Sequence, residues 1–425
     1  MTIAALYQLY LQHPSVQTDT RKLQSGDIYF ALKGDNFDGN LFAAAALEKG
    51  AAYAVIDNAD YVINEQTILV DDVLTALQQL AKHHRQQFNI PFIAITGSNG
   101  KTTSKELVHA VLSTTYKAYT TEGNLNNHIG IPLTILKIKA DAAIAVIEMG
   151  ANHQQEIAGY CKYTLPTHGI ITNAGKAHLE GFGGETGVKK GKGELFDYIR
   201  ENNGTVFIMS DYDYLQEMSK GIKEVVTYGT HDALIQGTVA ASDTFLTVNM
   251  ATGAYTGLLK TQLVGDYNLP NVLLAVAVGQ YFKVAPQNIQ KALENYTPSN
   301  SRSQLMVKGT TQIIMDAYNA NPSSMKLAIE NFSRQADERK VLMLGAMAEL
   351  GEESLQEHQN IIDTIGQYRW HQVVLVGGDF LRINHPFLQF TNVNEAKDWY
   401  MQQNMQNTSV LIKGSRSMQM EKIIA

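Results

Sequence analysis

Seven residues carry the plainest chemistry in the chain: Gly97-Ser98-Asn99-Gly100-Lys101-Thr102-Thr103. They follow an apolar run at 92–96 and precede a stretch in which Leu107, Val108, Val111 and Leu112 recur on one helical face. Glycines between a strand and a helix let backbone N–H groups point inward at phosphate oxygens, and the helix N-terminus adds partial positive charge. Lys101 can reach terminal phosphates, and the Thr102 hydroxyl can ligate Mg²⁺. Ile95 stands where the generic phosphate loop has its first glycine, so this loop is a shorter variant. By itself it specifies a nucleoside triphosphate and nothing further.

Two other groups fit beside it. Glu148 follows the apolar run 143–147, and a carboxylate at the carboxyl end of a parallel strand points into the ligand crevice. That is the right place for a second Mg²⁺ contact beside Thr102. His178 lies just past another strand. Taken alone it reads as a structural histidine; next to a phosphate loop and Glu148 it becomes a candidate metal ligand. Lys189, Lys190 and Lys192 form a short basic run, with Gly191 and Gly193 around the last of them. The residues alone leave open whether this run is a solvated face or contains a catalytic lysine.

The elements that must hold these groups divide into three regions. Residues 1–88 give a short helical stretch, strands at 27–32 and 53–56, a helix-like 41–49 and a helix over 73–87. Residues 89–297 open at Asn89-Ile90-Pro91 and alternate strands (92–96, 143–147, 169–172, 205–209) with helices, the first over 101–113. Such alternation predicts an α/β fold on a mostly parallel sheet. Residues 298–425 follow a polar joint at 297–301 and repeat the pattern. Strands are expected at 312–315, 341–344, 373–376 and 410–412, and helices from Pro322, over 355–366 and over 395–403. This last region reads as Rossmann-like.

Composition narrows the class. The chain has 425 residues, 44% of them hydrophobic, which supports packed cores and excludes a disordered chain. Its one cysteine, Cys161, allows neither an internal disulfide nor a cysteine-based zinc cage. Lys plus Arg number 34 and Asp plus Glu 41, a net charge of −7, which argues against a dedicated nucleic-acid binder. The first residues lack the basic start of a signal peptide, and no apolar run approaches the roughly 20 residues of a membrane helix. A soluble, cytoplasmic protein without membrane insertion is expected.

The loop at 95–103, Ile-Thr-Gly-Ser-Asn-Gly-Lys-Thr-Thr, resembles the ATP loop of the Mur ligases and their folylpolyglutamate synthetase relatives. Six further blocks are similar to one branch of that family, the one that adds D-alanyl-D-alanine. They are Glu122-Gly-Asn-Leu-Asn-Asn-His-Ile-Gly-Ile-Pro132, Glu148-Met-Gly-Ala-Asn-His153, Ala177-His-Leu-Glu-Gly-Phe-Gly183, Asp316-Ala-Tyr-Asn-Ala-Asn-Pro322, Met347-Ala-Glu-Leu-Gly351 and Lys413-Gly-Ser-Arg-Ser417. They run in order along nearly the whole chain. The resemblance implies a three-domain architecture: an N-terminal UDP-binding domain, a central ATPase and a C-terminal Rossmann-like domain. It implies an ATP-dependent, ADP-forming ligase that joins D-alanyl-D-alanine to a UDP-N-acetylmuramoyl-tripeptide through an acyl phosphate, acting as a monomer.

It also implies residue roles. Thr20, Arg21, Lys33, Gly34 and the run from Asn36 to Asn40, with Asp38 and Gly39, would hold the UDP-sugar. Asn126 and Asn127 would contact substrate. Asn268 and Asn271 would lie near adenine, and Arg302, Asp316 and Asn319 would close over the nucleotide. Lys192 matches a position carbamylated in the family. Tyr267 stands where a histidine is common, and Ala346 where an aspartate is common. Two alternatives remain at this stage. The related ligase that adds a diamino acid typically carries Asp-Asn-Pro-Arg, which does not occur in this sequence. A phosphate-loop regulatory module would hydrolyse ATP without a ligated product.

Overall fold

Three runs of aliphatic strands become three main sheets in the computed structural model, which describes every residue except Ala254, Asn300 and Ala425. The first sheet is parallel, in the order Val16–Gln17, Ile28–Phe30, Tyr53–Ile56, Thr67–Leu69. The helix-like stretch at 41–49 is a 3-10 turn, Gly39–Phe42, running into a helix, Ala43–Glu48. The helix Val73–Arg85 is capped by Asp72, whose carboxylate accepts from the Thr75 N–H at 2.6 Å. Its buried Ala76, Leu77, Leu80 and Ala81 follow the helical period.

The second sheet has nine strands. From Ala118–Thr120 through Ile144–Glu148, Phe92–Thr96, His168–Ile171, Thr205–Met209 and Glu224–Gly229 to Ile235–Ala241 all pairs are parallel. Thr247–Met250 and Gly257–Lys260 then extend it antiparallel. No strand was expected from the sequence between 210 and 297. The strands described there mix buried and exposed residues and carry Gly229, Gly237 and Gly257, so no continuous apolar run marks them. The helix Leu269–Tyr281 is buried on every side and packs against Lys101–Leu112. A helix apolar all round belongs inside a protein.

The third sheet has six strands, parallel except for Gln304–Lys308, which pairs antiparallel with Thr311–Asp316. Asn321 caps Pro322–Ser333 in a reciprocal capping box with Ser324. Asn300, part of the joint expected at 297–301, lies outside the described residues. No helix among the described residues is long and apolar enough to cross a membrane.

Candidate active site

Phe92–Thr96 lies between His168–Ile171 and Ile144–Glu148. The chain adds strands first on one side of it and then on the other. In an open parallel sheet the ligand crevice falls at the carboxyl ends beside such a reversal. The phosphate loop, Glu148 and the Thr172–Asn173 turn all leave from these ends.

The loop needs its glycines. Gly97 has φ 144°, and a Cβ there would meet Thr172 Oγ1 at 2.0 Å. Gly100, at φ 77°, turns the chain into the helix Lys101–Leu112, and a Cβ there would meet Asn271 Oδ1 at 2.7 Å. The neighbouring turn pins the loop. The Ser98 N–H donates to Asn173 O (2.9 Å), the Asn99 N–H to Asn173 Oδ1 (3.0 Å) and the Thr172 hydroxyl to Asn99 O (2.6 Å). Lys101 Nζ donates to Gly97 O (2.6 Å) and Ser98 O (3.1 Å). Burial pulls Lys101 down to about 8, with Glu148 opposing and Arg302 adding to the shift.

Glu148 is 1% exposed. Its Oε1 accepts from Thr102 Oγ1 (3.0 Å) and Asn126 Nδ2 (2.8 Å). Among the described residues its buried Oε2 has no hydrogen-bond partner. The nearest cation is Lys105, 3% exposed, whose Nζ lies 3.8 Å from that oxygen and donates to Thr121 O at 2.7 Å. Sequence reasoning missed Lys105. Its signal is the spacing: it follows Lys101 by four residues and so shares that helix face. Lys105→Met would leave a buried carboxylate without its counter-charge. Chemical denaturation should show a loss of about 3–5 kcal/mol, and a loss below about 1 kcal/mol would mean that Lys105 does not compensate Glu148.

His178 Nδ1 lies 2.5 Å from Glu349 Oε2, in an orientation that makes no hydrogen bond. Both residues have left-handed backbones, φ 52° and 62°. The neighbouring His178 chiefly holds the Glu349 carboxyl below its usual range. The third region contributes more. Asp316 accepts from the Ser303 N–H (3.0 Å) and from Lys413 Nζ (2.5 Å). The Arg302 guanidinium stacks 3.7 Å above the Tyr318 ring, and its buried Nε has no partner among the described residues. Asn319 Oδ1 accepts from the Ala320 N–H at 2.9 Å. Asn321 Nδ2 donates to Asn99 Oδ1 at 2.8 Å, tying a helix cap of the third region to the phosphate loop.

Asn268 and Asn271 are buried together: Asn271 Nδ2 donates to Asn268 Oδ1 (2.8 Å), and Ser104 Oγ donates to Asn271 Oδ1 (2.9 Å). The Tyr267 hydroxyl is 2.9 Å from Ser303 Oγ, so it bridges the second and third regions. Ala346 is buried, and a Cβ added to the facing Gly378 would come within 2.4 Å of its own Cβ. That close approach explains the glycine at 378.

One cleft of about 960 Å³ gathers most of these groups. Ser98 to Thr103, Asn126, Asn127, Glu148, His178, Asn268, Asn271, Arg302, Asp316 and Asn319 all line it. Gly97, the first residue of the loop, does not line it. Asn127 Oδ1 is already engaged, accepting the Gly130 N–H at 2.9 Å.

The basic run divides: Lys189 and Lys190 are exposed, and Lys192 is fully buried. Lys192 sits behind the wall of the cleft. Its Nζ donates to Ala151 O at 3.0 Å and lies 4.7 Å from the Phe182 ring centre, while Ala151 itself lines the cleft. Burial first and Lys101 second push its amine well below the ordinary lysine range, against Glu156 and Glu194.

Thr20, Arg21, Lys33, Gly34, Asp38, Gly39 and Asn40 are outside this cleft, on the first sheet's loops. Lys33 pairs with Asp57 (2.7 Å), and Asn40 donates to Asp57 (2.9 Å) and Asp38 (2.7 Å). Gly39 has no room for a side chain, since a Cβ would meet Ala31 C at 2.5 Å. Thr20, half-buried, and Arg21, exposed, lie on a separate loop. Arg21 pairs with Asp19 at 2.8 Å, and Lys49 Nζ donates to Thr20 O at 2.9 Å.

Comparison with known proteins agrees with this layout. A UDP-N-acetylmuramoyl-tripeptide–D-alanyl-D-alanine ligase of Bacillus subtilis is 35% identical over 96% of this chain and 92% of its own length. The chain belongs to the Mur ligase family. Three models of that family match in turn: the Mur ligase family catalytic domain at residues 14–85, the Mur ligase middle domain at 95–279 and the Mur ligase glutamate ligase domain at 301–416. Among solved Mur ligases, MurF from Acinetobacter baumannii superposes with TM-score 0.88 at 29% identity, covering 98% of this chain and 97% of that one. MurF from Thermotoga maritima in complex with ADP superposes with TM-score 0.86 at 25% identity, over 97% of each chain.

Proposed function

We propose that this Mur ligase joins D-alanyl-D-alanine to a UDP-N-acetylmuramoyl-tripeptide at the expense of ATP, releasing ADP and phosphate. The observation that carries the reading is the cleft. It brings a phosphate loop, a buried carboxylate with a free oxygen and three groups of the third region to one point, in a chain related end to end to ligases of that name. The domains correspond to 1–88 for the UDP-sugar, 89–297 for ATP and 298–425 for closure over the nucleotide.

A carboxylate is a poor electrophile. Transfer of the ATP γ-phosphoryl group to the terminal peptide carboxylate gives an acyl phosphate, which the dipeptide amine attacks. Two anions must meet first, so neutralising charge governs the barrier. Lys101 serves the β- and γ-phosphates, and the loop N–H groups orient them. Asn268 and Asn271 lie where adenine would rest, and Arg302, Asp316 and Asn319 close the far side. Lys33 to Asn40, with Thr20 and Arg21, hold the UDP end.

The cleft suits Mg²⁺. Among the described residues no three histidine, cysteine, aspartate or glutamate side chains form a cage, but this ion needs only one or two carboxylates beside phosphate oxygens and water. Thr102 and the free oxygen of Glu148 would hold one ion and His178 a second, neutralising phosphate charge. Lys192 fits carbamylation: burial holds its amine well below the ordinary lysine range, so it can take up CO₂ with release of a proton, and the resulting anion would be drawn toward Lys101. Borohydride added to protein, ATP and UDP-tripeptide should reduce the acyl phosphate to an alcohol without the dipeptide present. No trapped alcohol, with no positional isotope exchange in ATP, would overturn this route.

A further inference from the structure

The helix after the phosphate loop carries two lysines one turn apart, Lys101 and Lys105. Lys101 lines the cleft, whereas Lys105 does not and is only 3% exposed. The phosphate chemistry uses the first lysine and leaves the second without a part.

A single threonine fixes Lys105 and the carboxylate beside it. Lys105 Nζ donates to Thr121 O (2.7 Å), and the fully buried Thr121 hydroxyl accepts the Glu148 N–H (2.9 Å). Glu148 commits Oε1 to Thr102 and Asn126, and its Oε2 lies 3.8 Å from Lys105 Nζ without a hydrogen bond among the described residues. That gap is too long for a hydrogen bond. It is short enough for strong attraction where water is excluded. The oxygen therefore keeps its lone pairs for an incoming cation while its charge is already balanced.

The balance decides what the site attracts. Lys101 and Lys105 against Glu148 leave one positive charge, which repels a bare divalent ion and draws in a polyphosphate. Without Lys105 the sum is zero, and the carboxylate meets either visitor with its full charge.

We propose that Lys105 is a positioning residue that sets the order of entry, so that the site takes a divalent cation only together with the triphosphate and not before it. The inference rests on the reading of the cleft as an ATP and Mg²⁺ site, and it assigns a role to a residue that touches neither.

Two equilibria read this role apart from turnover: free Mn²⁺ by electron paramagnetic resonance, and ATP in EDTA by calorimetry. Buffers stripped of CO₂ keep a carbamate off Lys192. Wild-type protein should bind ATP in EDTA, and should leave Mn²⁺ free at concentrations that saturate it when ATP is present. Lys105→Met should move the two in opposite directions, with Mn²⁺ about tenfold tighter or more and metal-free ATP about tenfold weaker. A merely structural lysine would weaken both when lost. Adding Glu148→Gln to that variant should abolish the gain in Mn²⁺ binding.

Wild-type protein that binds Mn²⁺ equally well without ATP would overturn the proposal, and that arm needs no variant to fold. A Lys105→Met protein that binds both ligands more weakly, or both as before, would overturn it too. Wild-type protein that binds ATP neither alone nor with Mn²⁺ would overturn the reading of the cleft itself, and the inference with it.

Discussion

Lys101→Ala should lower kcat for ADP formation by about 10²- to 10³-fold or more, the range for losing one preorganised charge at a developing anion. The fold should survive. Burial holds Lys101 near 8 rather than 10.5, so folding disfavours its charged form. A lysine depressed in this way lowers stability fully below about pH 8, and stability recovers as pH rises from there toward its unfolded value. Removing it should therefore leave the thermal midpoint at pH 7 unchanged or slightly higher, and flatten the rise in stability between these two pH values. Near-normal turnover in the variant would take the loop out of the chemistry.

Lys192→Met should behave alike in stability and differ in cause. Lys192 is 0% exposed, with its amine driven toward neutrality, so methionine fills its place without a new buried charge. Turnover should fall by about 10²-fold or more if the amine works as a carbamate anion. Rigorous removal of CO₂ should slow the wild-type protein and leave the variant unaffected, and ¹³C-bicarbonate should give a carbamate resonance only in the wild type. Full activity without CO₂, in protein loaded with nucleotide and Mg²⁺, would contradict that role.

Much of this site was legible in the sequence because its signals are local. A glycine-rich turn between an apolar strand and an amphipathic helix announces the phosphate loop, and a carboxylate after an apolar run announces Glu148. Residues that act by meeting across the fold left weaker marks. Lys105 looks like any helical lysine until Glu148 is found 3.8 Å away. Glu349 gains meaning only once the third region brings it to His178, and Lys413 only beside Asp316. The same holds for the fold. Continuous apolar strands such as Phe92–Thr96 were readable, whereas the antiparallel strands Thr247–Met250 and Gly257–Lys260 follow a half-exposed alternation at the sheet edge.

The most direct test of the whole account is a product-resolved assay on purified protein with ATP, Mg²⁺ and UDP-N-acetylmuramoyl-tripeptide, run with and without D-alanyl-D-alanine. The account predicts steady ADP release only when the dipeptide is present, with one UDP-pentapeptide formed per ADP by mass spectrometry. ADP released at the same rate without the dipeptide, and no pentapeptide product, would contradict it.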